Sequence, residues 1–223
     1  MFAVVTKSLH TADTRKLTIT DYGCACHIQA GRRTSRRKLR RVLKKFGTDV
    51  IFGAGADTCG ITPFDTGAFK EHLLFRQFAH YVLSLEGFDL KIGLLDKSGN
   101  YLSSDTLTEL IAHAADAVIC TDFPAEEHCK RWILYTGICP EVTLDRSYLR
   151  ECDCVFAQEG LKGCVGTVFG RGGKGLDRSI IDLPPQFRPL VDSGVDPAEL
   201  LCMLEREKEV SAAVNAAETE IKY

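Results

Sequence analysis

Apolar residues follow two rhythms along this chain, and the change comes near residue 90. Before it, short β-favouring runs at residues 2–6, 16–20 and 24–29 stand apart and predict strands. The polar stretch holding Thr11, Asp13 and Thr14 predicts a hairpin between the first two. Leu39, Val42, Leu43 and Phe46 then recur at i, i+3, i+4 and i+7, which predicts a helix over residues 35–46 with one buried stripe. Thr34 or Ser35 would cap it and Gly47 end it. Residues 49–55 read as a buried strand leaving through glycines, and residues 66–85 as a long helix. Its apolar face carries Phe69, Leu73, Leu74, Phe78, Val82 and Leu85.

From Leu90 the pattern becomes regular. Strand-like runs at 91–96, 117–122, 141–144, 154–158 and 164–170 alternate with helical stretches at 106–115, 124–135 and about 147–151. Strands separated in this way pair in parallel through right-handed crossovers. Pro184, Pro185 and Pro189 break residues 180–190 into an extended strap expected across the surface. A last helix begins near Pro197 and docks through Leu200, Leu201 and Leu204, whereas the alanine-rich stretch after Glu205 is expected to fray or to serve a partner.

Composition narrows the picture. In 223 residues, 45% are hydrophobic and the net charge is −2, which fits a packed core and excludes a general polyanion binder. No run reaches the roughly 20 apolar residues that a membrane span needs. The first residues, whose apolar run is interrupted by Lys7, lack the pattern of an export signal, so a cytoplasmic location is expected. The ten cysteines are accordingly read as mostly reduced thiols packed as small hydrophobes, among them Cys120, Cys154 and Cys164.

In a parallel sheet, ligands bind beyond the carboxyl ends of the strands, which directs attention to the loops at 97–100, 121–124, 159–162 and 170–175. Residues 117–130 resemble the second strand and following helix of Rossmann-type cofactor domains, with Asp122 ending the strand and Pro124 opening the helix. The resemblance implies that Asp122 accepts hydrogen bonds from ribose hydroxyls. The other half of that fingerprint is missing, because the first strand is followed by Asp96-Lys97-Ser98-Gly99-Asn100 and not by G-x-G-x-x-G. The alternative makes Asp122 a helix cap and the other loop a turn. The expected class is α/β: a Rossmann-like, mostly parallel sheet over residues 89–223, with a smaller α/β lobe over 1–88.

Three other groupings bear on chemistry. Gly170-Arg171-Gly172-Gly173-Lys174-Gly175 has the glycines and cations of a phosphate cradle, although Val168 and Gly175 occupy positions where a Walker loop needs glycine and a hydroxyl. A mobile glycine loop is the plainer reading. Cys24 with Cys26, Cys152 with Cys154, and His27 supply zinc-ligand types, but a one-residue gap is too short for a zinc knuckle and would place both thiols on one strand face. No metal site is expected. Cys59, beside Asp57, and Cys164 are nucleophile candidates, while His72, His80, His113 and His128 fall on helices where none is singled out as their base.

The sharpest departure from average composition lies at residues 32–45. Arg32, Arg33, Arg36, Arg37, Lys38, Arg40, Arg41, Lys44 and Lys45 share that stretch with no acidic residue. Such a face suits the phosphates of nucleic acid, an acidic protein, or an acidic surface of the same chain. Two functional expectations follow. One is a nucleotide-like or phosphorylated small ligand held by loops carrying Asp96, Ser98, Asp122, Glu159, Arg171 and Lys174. The other is a non-enzymatic interaction protein that docks on nucleic acid or an acidic partner through Arg36, Arg37, Arg40 and Arg41.

Overall fold

A computed structural model describes residues 1–7, 17–31, 33–48, 50–53, 62–86 and 89–220, with the backbone alone at 7, 50, 52 and 209–220. Its contacts divide the chain into two units, residues 1–70 with 178–223, and residues 71–177. This grouping differs from the lobes drawn at residue 88, because the C-terminal segment packs with the N-terminal strands. Among the described residues, no helix is long and apolar enough to cross a membrane.

The first unit is built on a four-stranded sheet of β1 (Phe2–Lys7), β2 (Leu17–Asp21), β3 (Ala25–Ala30) and β4 (Val50–Phe52), in the order β2-β3-β1-β4. The expected hairpin of the first two strands does not form. β3 lies between them, parallel to β1 and antiparallel to β2. Alternation along β1 separates two cores. Ala3 and Val5 meet Leu39 and Leu43 of helix α1 (Arg36–Phe46) on one face. Phe2 and Val4 meet Leu183, Phe187, Leu190, Leu200 and Leu204 on the other. The proline-containing segment adds Leu183, Phe187 and Leu190 to this core while Pro184, Pro185 and Pro189 stay exposed, and in place of one extended strap it folds into a 3₁₀ turn (Pro185–Phe187) and a short helix, here called α5 (Arg188–Asp192). Helix α6 (Pro197–Glu220) follows it. Lys70, which pairs with Asp196 at 3.0 Å and Glu199 at 2.8 Å, ties this segment to the rest of the unit.

The second unit contains most of helix α2 (Gly67–Leu83), then β5 (Lys91–Leu95), α3 (Asp105–His113), β6 (Asp116–Cys120), α4 (Glu126–Thr136), β7 (Glu141–Thr143), a 3₁₀ turn (Arg146–Glu151), β8 (Cys154–Ala157) and β9 (Thr167–Gly170). All five strands are parallel, in the order β7-β6-β5-β8-β9. Counted from β5 this is 3-2-1-4-5, the order of Rossmann-like doubly wound sheets. The main core lies on one face, where Ile92, Leu94, Ile119 and Phe156 pack with Phe75, Phe78, Leu110 and a fully buried Trp132. After β7 the chain must travel back across the sheet, and handedness sends it over the opposite face. There Leu149 and Cys152 pack on Leu95, Val118 and Val155. Gly93 makes that close approach possible, since a Cβ at this position would lie 2.9 Å from Leu149 Cδ2 and 3.1 Å from Cys152 Sγ.

Candidate functional site at the carboxyl edge of the parallel sheet

Sheet order reverses between β5 and β8, the place where doubly wound sheets bind ligands beyond the carboxyl ends of their strands, and side-chain contacts join the two loops that leave these strands. Asp96, the residue after β5, is fully buried. One of its carboxylate oxygens accepts the Asn100 amide at 3.1 Å and the Ser98 hydroxyl at 3.1 Å; the other accepts the Tyr101 amide at 2.8 Å. A buried carboxylate needs such donors, and three satisfy it here. The consequence reaches beyond the loop: the amides of Asn100 and Tyr101, which an open loop would present to a ligand's anion, are already bound to an internal one.

Ser98 continues the network to Gln158 at the end of β8, with contacts of 3.2 Å to Oε1 and 3.0 Å from Nε2. Gln158 Nε2 also donates to Glu71 on α2 at 2.7 Å, and the Tyr101 hydroxyl donates to the same carboxylate at 3.2 Å. Burial and the neighbouring Glu71 carboxylate both push the Tyr101 phenol upward, so it remains a donor. Glu71, Tyr101 and Gln158 were not singled out from sequence. Glu71 comes from a helix outside the strand-loop series, and no motif joins it to Ser98.

A second group lies around the end of β6. Glu159 bridges Arg146 at 2.6 Å and Lys97 at 3.3 Å, and its carboxyl is held below the usual range by the hydrogen bond from Arg146 first and Lys97 second. Arg146 reaches this edge because it directly follows the exit of β7, where the Asp145 side chain accepts the Ser147 amide at 2.8 Å and starts the 3₁₀ turn. The Cys120 thiol, pushed up chiefly by burial, feels the charges of Arg146, Asp122, Asp145 and Lys97. These groups thus share one neighbourhood. Asp122 is exposed, and the ring of the following Phe123 lies against Gly99, whose missing Cβ would fall 2.8 Å from it. Arg146 carries no signal of its own in the sequence, standing just ahead of the stretch that reads as a short helix.

The loop after β9 differs from a phosphate cradle. Its amides fold inward: Gly170 donates to Lys174 O at 2.9 Å, Arg171 to Ala157 O at 3.3 Å, Gly173 to Gly170 O at 3.1 Å and Lys174 to Val168 O at 2.7 Å. The Lys174 ammonium lies 4.5 Å from the centre of the Tyr81 ring and 5.4 Å from that of Phe169, a cation–π arrangement. Arg171 is exposed.

Each close cysteine pair is split across its sheet, contrary to the one-face expectation. Cys24 packs with Phe2 and Cys26 with Leu39; Cys152 packs with Leu95 and Cys154 with Phe156. The reason is that Cys24 and Cys152 lie in the turns before β3 and β8, where strand alternation has not begun. Burial pushes the Cys152 thiol up to about 12. His27 bonds Thr6 Oγ1 at 2.8 Å, and burial lowers its basicity. Among the described residues, no three His, Cys, Asp or Glu side chains gather as metal ligands. Cys164 Sγ contacts the Leu149 carbonyl at 3.8 Å and is pushed up by burial, the opposite of an activated thiolate. Cys59 and Asp57 lie outside the described residues.

On α1, Ser35 is the N-cap, accepting the Lys38 amide at 3.3 Å, and Gly47 closes the helix at a φ of 61°. All seven cations of the helix are exposed, and its first turn carries no acid. An apolar cavity of about 920 Å³ lies elsewhere in the first unit, between Leu183, Pro184 and Phe187 on one side and Leu201 and Leu204 on the other.

No protein-family model matches the chain, and no curated protein matches it in sequence. Among solved structures, the crystal structure of L-tryptophan dehydrogenase from Nostoc punctiforme is similar over 87% of this chain and 68% of that one, at 9% identity and a TM-score of 0.35.

Proposed function

We propose that the unit of residues 71–177 binds a small phosphorylated, nucleotide-like ligand at the carboxyl edge of its parallel sheet. The observation that carries this reading is the meeting of Lys97, Arg146 and Glu159 beside the reversal of strand order. A cation pair already bridged by one exchangeable, half-exposed carboxylate offers a place for a ligand's phosphate, which would displace Glu159 and keep both charges satisfied. Asp122, at the end of the second strand of the series, is the acceptor for a ribose diol. Asp96 and Ser98 act from behind as the rigid floor of the loop. Arg171 directly follows the edge strand β9, while Lys174 contributes through its ring stacking and the shape of its loop.

Because Asp96 occupies the amides of Asn100 and Tyr101, a mononucleotide or other phosphate monoester suits the site better than a dinucleotide, whose diphosphate needs those amides. Isothermal titration of the full chain with adenosine monophosphate, NAD and inorganic phosphate tests the reading. The monophosphate is expected to bind more tightly than NAD, and Asp122→Ala to weaken adenosine monophosphate but not inorganic phosphate. Tighter binding of NAD, or no binding of any of the three at millimolar concentration, would overturn it.

A further inference from the structure

Helix α1 gives the first unit a surface of its own. We propose that its cationic face binds duplex DNA through the phosphate backbone, with no preference for sequence. Leu39 and Leu43 are buried against the sheet, and Arg37, Arg40, Arg41, Lys44 and Lys45 are exposed. Among the described residues, none of these five has an acidic partner in an ion pair, although the chain carries 30 acidic residues. Acidic surface of the same chain is thus not what they meet in this structure.

The helix also carries its charges at a cost. Arg37 with Arg41, Arg40 with Lys44, and Arg41 with Lys45 are like-charged i, i+4 neighbours, each unfavourable. Three cations in the first turn oppose the helix dipole. A polyanion relieves both. At about 100° per residue, these five cations cover an arc of about 140° opposite the buried stripe. That breadth decides the kind of polyanion, since a flat acidic protein surface would meet only the crest of the arc. A helix of about 16 Å and normal diameter fits a major groove about 12 Å wide, where its two flanks reach phosphates of both strands. The deep, narrow major groove of duplex RNA does not admit it. With only arginine and lysine exposed along its crest and no aromatic side chain there, contacts to the backbone dominate.

Fluorescence anisotropy of the full chain with a labelled mixed-sequence DNA duplex of about 20 base pairs tests the proposal across salt. Five neutralised phosphates give a slope of about −4.5 in log affinity against log salt, roughly a 500-fold loss between about 50 and 200 mM. Arg37→Glu with Arg40→Glu and Arg41→Glu is expected to abolish binding. Lys44→Gln with Lys45→Gln, milder exposed changes that keep the helix, is expected to reduce the slope by about 1.8. Circular dichroism confirms that each variant is folded. The proposal fails if DNA does not bind at the lower salt, if the slope is unchanged in the lysine variant, or if duplex RNA or polyglutamate competes as well as DNA. None of these outcomes depends on the small-ligand site, because the assay contains no such ligand.

Discussion

The Asp96 carboxylate receives the Tyr101 amide at 2.8 Å while the same tyrosine's hydroxyl donates to Glu71 at 3.2 Å, so one residue links a buried loop anion to a helix carboxylate. Asp96→Asn tests how much the fold depends on this anchor. An amide in that position turns one acceptor into a donor facing an N–H, and charged hydrogen bonds are each worth about 1.5–3 kcal/mol. Denaturant unfolding is expected to show a loss of that order, with nucleotide binding reduced in parallel.

Gly93 governs a longer-range effect. Adding a methyl group there crowds Leu149, Cys152 and Val155 at 2.9–3.2 Å. Gly93→Ala is expected to cost about 1–3 kcal/mol as the 3₁₀ turn shifts off the strand. Because Arg146 begins that turn, adenosine monophosphate is expected to bind more weakly in this variant even though residue 93 touches no ligand.

Removing the cations directly separates binding from stability. Lys97→Ala and Arg146→Ala break half-exposed ion pairs, which contribute at most about 1 kcal/mol to folding. Each is expected to weaken monophosphate binding by about 10- to 100-fold, the worth of a charged hydrogen bond. Equal losses of stability and binding would mean that the bridge to Glu159 is only structural.

His27 and Asp196 each make the first unit sensitive to acid. Burial lowers the pKa of His27 below its ordinary 6.5, so the unfolded chain takes up a proton there before the folded chain does. Its contribution is complete above about pH 6.5 and is lost as pH falls toward the folded-state value. Asp196 behaves as a paired acid: burial alone raises its pKa, but hydrogen bonds from Arg178, Lys70 and the Ala198 amide together bring it below 3.8. Its stabilisation is present above that value and is lost as pH falls through the folded-state pKa. The stability of His27→Gln is expected to fall less steeply than wild type as pH drops below about 6.5 and to keep the loss that comes from Asp196.

Much of the second unit was legible because local pattern and tertiary role agree there. Continuous apolar runs ending in Asp96, Asp122 and Gln158 mark parallel strands whose exits share one edge, and the helices between them leave few alternative topologies. The basic helix was legible for the same reason, since Leu39 and Leu43 lie one turn apart and Ser35 and Gly47 mark its ends. The first sheet was less so. Nothing local distinguishes a hairpin of β1 and β2 from the observed insertion of β3, because the choice depends on pairing between distant segments. The burial of Phe187 and Leu190 against Phe2 and Val4 is likewise invisible in a stretch whose prolines signal only an irregular backbone. At the candidate site, Asp96, Ser98, Asp122 and Glu159 announced themselves by position in loops, whereas Glu71 and Arg146 are brought in by helix placement and by the crossover after β7.

Amide chemical-shift mapping with adenosine monophosphate tests the location of the ligand site most directly. The expected result is a set of saturable shifts at Lys97, Ser98, Asp122, Phe123, Arg146 and Glu159, lost in Arg146→Ala. Shifts confined to Leu183, Phe187 and Leu204 around the apolar cavity of the first unit, or none at saturating ligand, would contradict the account.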